Sequence, residues 1–210
     1  YWDFNEGQMI DVDLYSNAPR VELYFDNVLI GGKELDQKHD AVYSASFRLP
    51  YRKGVLLAKA YDSDGVVVAE DETKSFGNPA AIALKTEYET IFANGEDLQF
   101  VEISVVDQDG NEVRNARNRI TLSVSGPGRL IGMDNGDSTD YDQYKCNSRK
   151  LFSGKLIAVI AATQQAGEIG VTAASAGLPE QKITFMSVEG EARDGVSCDY
   201  DIMSKVADLH

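Results

Sequence analysis

Apolar and polar residues alternate along most of this chain, and the three-to-four spacing of a helix is almost nowhere to be found. Ile10, Val12 and Leu14 interleave with Asp11, Asp13 and Tyr15, and Val21, Leu23 and Phe25 with Glu22, Tyr24 and Asp26. A period of two gives each stretch one apolar and one wet face, so both predict strands. Ser16-Asn17-Ala18-Pro19 is turn chemistry between them. Asp26-Asn27, two residue types that tolerate positive φ, predicts a hairpin turn into a strand over 28–30 that Gly31-Gly32 ends. Further strands are predicted over 42–49, stopped by Pro50, and over 55–61 and 66–69, joined through Asp62-Ser63-Asp64-Gly65.

Ser75-Phe76-Gly77-Asn78-Pro79 is a turn-rich break, and the pattern then restarts. Strands are predicted over 81–86, 98–106, around Val113, 120–124, 156–163, 170–176 and 182–186. Gly126-Pro127-Gly128 breaks the chain, and an irregular acidic loop is expected from there to about Arg149. Short strands with turns every 8–12 residues predict an all-β fold of two tandem immunoglobulin-like β-sandwiches. The expected boundaries are 1–77 and 78–187. Residues 188–210 form a tail or the start of a truncated module, with faint helical spacing at Ile202, Val206 and Leu209.

Length and charge narrow the classes. The 210 residues suit two domains of about 100 each. A net charge of −14 argues against nucleic acid and against an anionic membrane surface, both of which reward Lys and Arg. The longest apolar run, 156–162, is far short of the ~20 residues of a membrane-spanning helix. Two histidines and no CxxC leave no basis for a structural zinc site, and no cofactor is expected. Cys146 and Cys198 stand in unlike contexts, and both a disulfide and two separate thiols remain open. The chain opens on Tyr1-Trp2 without an initiator Met, so it reads as a piece of something longer.

An ordered set of motifs carries a resemblance. Tyr1-Trp2-Asp3-Phe4, Glu6-Gly7-Gln8, Val12, Tyr15-Ser16-Asn17, Val21-Glu22-Leu23 and Asp26-Asn27 resemble the immunoglobulin-like domain behind the catalytic barrel of bacterial β-galactosidases of glycoside hydrolase family 2. Phe4 stands for that pattern's second Trp, and Asp26-Asn27-Val28 for its Asn-Gly-Lys. Residues 97–111, 116–124, Gly126-Pro127-Gly128-Arg129-Leu130-Ile131-Gly132 and Met133-Asp134-Asn135-Gly136-Asp137 resemble the next domain of the same enzymes, a bacterial Ig-like or invasin-like fold. The resemblance implies an absence. The family's catalytic carboxylates sit on a (β/α)8 barrel, which needs about 250 residues of alternating strand and helix and is missing here. No catalytic residue carries over. The implied role is a non-catalytic accessory region, its partner the barrel of the parent chain and its location the periplasm or exterior of a bacterium.

The remaining chemistry is sparse. Asp134, Asp137, Asp140 and Asp142 put four carboxylates within nine residues, a candidate calcium loop without the EF-hand order. Tyr1, Trp2 and Phe4, and separately Tyr141 and Tyr144, are candidates for packing on the barrel or stacking on a sugar. His39 and His210 lie outside any nucleophile motif. A polysaccharide-binding module and a tandem Ig-like adhesin are the alternatives from other classes.

Overall fold

A computed structural model describes residues 2–35 and 43–190. These residues form strands and no helix, and the chain divides into two compact units, Tyr1–Gly77 and Asn78–His210. Both are β-sandwiches, so the all-β, tandem immunoglobulin-like class read from the alternation is the one observed.

The first unit contains β1 (Met9–Tyr15), β2 (Arg20–Phe25), β3 (Val28–Glu34), β4 (Ser44–Pro50), β5 (Val55–Tyr61) and β6 (Val67–Lys74). One sheet is the antiparallel pair β1-β4, and the other runs β3-β2-β5-β6. The turn at Asp26 and Asn27 takes φ of 46° and 64°, the left-handed geometry that lets two residues reverse a right-twisted pair. Leu23, Phe25 and Leu56 of the larger sheet meet Leu49 of the smaller one, with Ile10, Val12, Leu14 and Phe47 packed beside them. The apolar set chosen by period two is thus the set that is buried.

Gly31-Gly32 does not end β3, which continues to Glu34. A Cβ on Gly31 would lie 3.1 Å from the Phe47 ring, and one on Gly32 would lie 3.1 Å from the Glu22 side chain. The glycines leave room for neighbours while the ladder continues. β6 also exceeds expectation: it is an edge strand exposed along nearly all its length, so its polar half, Glu70 to Lys74, gives no alternation to read.

The second unit contains β7 (Ala81–Thr86), β8 (Thr90–Phe92), β9 (Leu98–Val106), β10 (Arg119–Ser125), β11 (Gly128–Asp134), β12 (Ser148–Lys150), β13 (Lys155–Ala162), β14 (Gly167–Ser175) and β15 (Leu178–Val188). Its sheets run β12-β10-β14-β15-β8 and β11-β13-β9-β7. Val101, Ile103, Leu156, Ala158 and Ile160 point inward from one sheet, and Ile120, Leu122, Ile169 and Val171 from the other. Every pair is antiparallel except β15 with β8. Residues 128–134, expected within an irregular loop, are strand β11. Gly126 takes φ of +81°, where a Cβ would run into the Glu168 carbonyl oxygen, and a Cβ on Gly128 would lie 2.7 Å from Ile169. Gly-Pro-Gly is a tightly packed corner between two strands. Around Val113 only an isolated bridge forms, Val106 with Glu112. Tyr1, His39, Cys198, His210 and the expected helical spacing at Ile202, Val206 and Leu209 lie outside the described residues.

Candidate functional site

The N-terminal aromatics occupy two different environments. Trp2 is 2% exposed and belongs to the core of the first unit, its ring 5.1 Å from Tyr51 and 6.5 Å from Phe25. Its indole N–H donates to the Arg52 carbonyl at 3.1 Å, so the one polar atom is satisfied. Trp2 is thus a core residue of the first unit, with almost none of its surface open to solvent. Phe4 meets Trp2 edge-on at 6.0 Å and keeps about a third of its surface in solvent.

The acidic loop between β11 and β12 spends its carboxylates on itself. Asp134 Oδ1 accepts from the Gly136 N–H, Asp137 Oδ1 from the N–H and hydroxyl of Thr139, and Asp140 Oδ1 from the Asp142 N–H. Asp140 Oδ2 accepts from Asn135 Nδ2 at 2.7 Å and Arg149 Nε at 3.1 Å, while Asp142 pairs with Arg119 at 2.8 Å. Among the described residues no group of three His, Cys, Asp or Glu converges as a metal site would require. The four aspartates of the candidate calcium loop act as turn caps and arginine partners. Tyr141 between them is fully exposed, and Tyr144 lies under the Arg149 guanidinium, 4.7 Å away.

Arg149 went unread in the sequence. It is completely buried, donates Nη1 to the Met133 carbonyl at 3.0 Å, and ties the acidic loop to β11 through Asp140. A lone arginine in a polar stretch gives no signal of burial; the nearest clue is the acid-rich loop that precedes it.

A second buried network lies on the outer face of β2 and β5. The Tyr24 and Tyr61 hydroxyls donate to Glu22 Oε2 at 2.5 and 2.6 Å, and Arg20 pairs with Oε1. Glu22 is 6% exposed although its position alternates with the core set. The signal was the spacing itself, because Arg20, Glu22 and Tyr24 at i, i+2 and i+4 share one strand face. Hydrogen bonds from Tyr24 and Tyr61 hold the carboxyl below its ordinary value of 4.5, Arg20 adding to them and desolvation opposing. The same contacts push the Tyr61 hydroxyl far above its ordinary range, the Glu22 acceptor contributing most.

The sign for stability follows from the depressed carboxyl. Its contribution is complete above the unfolded-state value and is lost as pH falls through the lower folded value. Glu22→Gln is expected to cost about 1–3 kcal/mol near neutral pH. The gap to the parent should close below roughly pH 4. Urea titrations followed by the emission of Trp2, the chain's one tryptophan and a core residue of the same unit, measure this directly.

A general acid for glycoside cleavage is a carboxyl held protonated by a raised pKa. Glu22, Asp137 and Asp140, the described carboxyls that depart clearly from their ordinary values, all move downward. The hydrogen bonds of Tyr24 to Glu22, of Thr139 to Asp137 and of the Asp142 N–H to Asp140 lead these shifts.

The described residues thus make two all-β sandwich modules in which the carboxylates of the acidic loop and of Glu22 serve turns, hydrogen bonds and ion pairs. Residues 82–184 match the family described as glycoside hydrolase family 2 C-terminal domain 5, and residues 7–69 match a domain of unknown function, DUF4982. The chain is similar to the β-galactosidase BoGH2A of Bacteroides ovatus, 35% identical over 192 residues, which is 90% of this chain and 22% of that protein. It is also similar to a β-glucuronidase of Formosa agariphila, 22% identical over 204 residues, 94% of this chain and 20% of that protein. A crystal structure of a β-glycosidase from Bacteroides vulgatus aligns over 89% of this chain and 24% of its own, with a TM-score of 0.81 and 28% identity. The chain thus spans about a fifth of the length of the curated relatives it matches. Residues 82–184 thus match a C-terminal domain of glycoside hydrolase family 2, and about nine-tenths of the chain is similar to a β-galactosidase.

Proposed function

We propose that this chain is the non-catalytic C-terminal accessory region of a family 2 glycosidase with β-galactosidase activity, and that it packs on and supports the catalytic domains of its own parent chain. The observation that carries the reading is the 35% identity to a β-galactosidase, spread over nearly the whole chain yet covering only 22% of that relative. The likeness to a β-glucuronidase is weaker, at 22%. Support of this kind needs folded surfaces and no acid–base pair, which accords with carboxylates committed to structure.

The chain alone is expected to release no chromophore from aryl β-galactosides or aryl β-glucuronides, whereas the full-length parent prefers the galactoside. Turnover by the isolated chain would overturn the accessory role, and a glucuronide preference in the parent would overturn the specificity.

A further inference from the structure

The described strands of the first sandwich oppose a sheet of four with a sheet of two. In a sandwich each inner face is covered by the other sheet, yet β3-β2-β5-β6 meets only the pair β1-β4. That pair sits to one side. β4 lies over β3, with the Phe47 ring against Gly31 and Lys33 Nζ donating to the Ser46 carbonyl at 2.6 Å. The inner face of β6 is left bare: Ala69 and Asp71, which the register places on the same face as the buried Ala60, are both exposed. The same gap shows on β1. Its core-facing Ile10, Val12 and Leu14 are only half-buried, whereas Val21, Leu23 and Phe25 of the facing sheet are fully buried. Between β1 and β6 runs a groove of about 290 Å³ whose inward lining is Leu14, Val21, Ala58, Ala60, Ala69 and Asp71. The three alanines leave room for side chains from a further layer.

Hydrogen bonds at both ends of the β1-β4 pair fix which backbone groups are spare. The Tyr51 N–H donates to the Gln8 carbonyl at 2.7 Å, and the Ser16 N–H to the Tyr43 carbonyl at 2.9 Å. Bonded pairs recur at every second residue of an antiparallel ladder. Ile10, Val12 and Leu14 therefore bond to β4, while Asp11, Asp13 and Tyr15 turn their N–H and C=O groups outward along the edge. No described strand pairs with that edge. An open row of donors and acceptors beside an unfilled apolar groove is a seat for an added strand.

We propose that an extended segment of the parent chain, lying ahead of Trp2, adds to β1 as an antiparallel strand and closes the first sandwich over β6. The source of the strand rests on the accessory reading; the open edge rests on geometry alone. This chain matches only 22% of the β-galactosidase it is similar to, and the family matched by residues 82–184 is a C-terminal one, which puts the supply of chain ahead of Trp2. The connection is also short. A strand antiparallel to β1 ends beside Met9, which pairs with Pro50, next to the Tyr51 ring on which Trp2 packs at 5.1 Å. The seat selects its occupant: apolar residues opposite Val12 and Leu14, and hydroxyl or basic residues beside Asp11 and Asp13 on the outer face. A second copy of this chain fits badly, because two β1 edges laid antiparallel set Asp11 and Asp13 against each other in a chain of net charge −14.

Hydrogen exchange resolved to single amides by mass spectrometry, on the isolated chain and on the full-length parent, is the test. The Asp11, Asp13 and Tyr15 amides should exchange freely in the isolated chain and about a hundredfold more slowly in the parent. Ala69→Phe fills the groove from an exposed position. It should leave the near-UV circular dichroism of the isolated chain unchanged and speed those amides in the parent by about tenfold or more. Val67→Phe, on the outer face of the same strand, should leave their protection in place. Equal exchange in the two forms, protection that Ala69→Phe does not weaken, or protection of the isolated chain that grows with its concentration would overturn the added strand. Turnover by the isolated chain would sink the accessory reading without altering the exchange, and equal exchange would sink the strand while leaving the accessory role to other surfaces.

Discussion

Trp2→Ala should cost the first unit about 3–5 kcal/mol, the range for removing a fully packed aromatic from a core. The ring contacts Phe25, Tyr51 and Phe4, and no other side chain in that core is as large. Truncation leaves a void lined by Leu23, Phe25, Leu49 and Leu56, and it leaves the Arg52 carbonyl without its indole donor. A unit of 77 residues has a stability of only a few kcal/mol to spare, and each kcal/mol moves its melting point by about 4–8 °C. The expected result is an unfolded or barely folded first unit beside an intact second one. Circular dichroism melts together with limited proteolysis will read it, because the variant lacks its own fluorescent probe. A melt unchanged within 2–3 °C would mean that Trp2 is held only loosely.

Arg149→Ala should destabilise the second unit by a similar amount, about 3–5 kcal/mol, because it breaks a buried pair from one side. Asp140, whose side chain is only 14% exposed, loses its guanidinium, and the Met133 carbonyl loses its donor. The loss should also be local: the loop from Asp134 to Cys146 loses its tie to β11, so protease cleavage near Tyr141 should rise before the unit melts. Arg149→Met keeps much of the stem's volume and should recover part of the packing but none of the loop protection. Equal protease resistance in parent and Arg149→Ala would show that the turn caps at Asp134, Asp137 and Asp140 hold the loop without the arginine.

Strands were legible wherever one face is buried and the other wet. β1, β2, β5, β7, β9 and β13 lie within a residue or so of their predicted bounds. The pattern fails where that condition fails. β6 is exposed on both faces, and β11 is half-buried along nearly its whole length and punctuated by Gly128 and Gly132. Gly132 is small because the Tyr144 carbonyl passes beside it, a contact 12 residues away along the chain and invisible to a local pattern. Composition carried no sign that Trp2, named only as a candidate for barrel packing or sugar stacking, sits in the core of its own unit. The acidic loop was legible as a loop. That its carboxylates turn inward to backbone N–H groups and two arginines depends on a fold that brings β10 and β12 beside it.

The one parallel pairing among the described residues has a consequence for how the chain acquires its structure. β8 at Thr90–Phe92 hydrogen-bonds to β15 at Met186–Val188, so the earliest part of one sheet waits for its latest. During synthesis the described strands of the first unit are all available once Lys74 has emerged, whereas the second cannot close that sheet until Val188 is out. Contacts so distant in sequence slow folding, because the intervening loop must be closed before they form. For roughly a hundred residues of elongation, Ile91, buried in the finished unit, waits without its partner strand, and a ribosome pause or a truncation inside β15 leaves an apolar edge open to other chains.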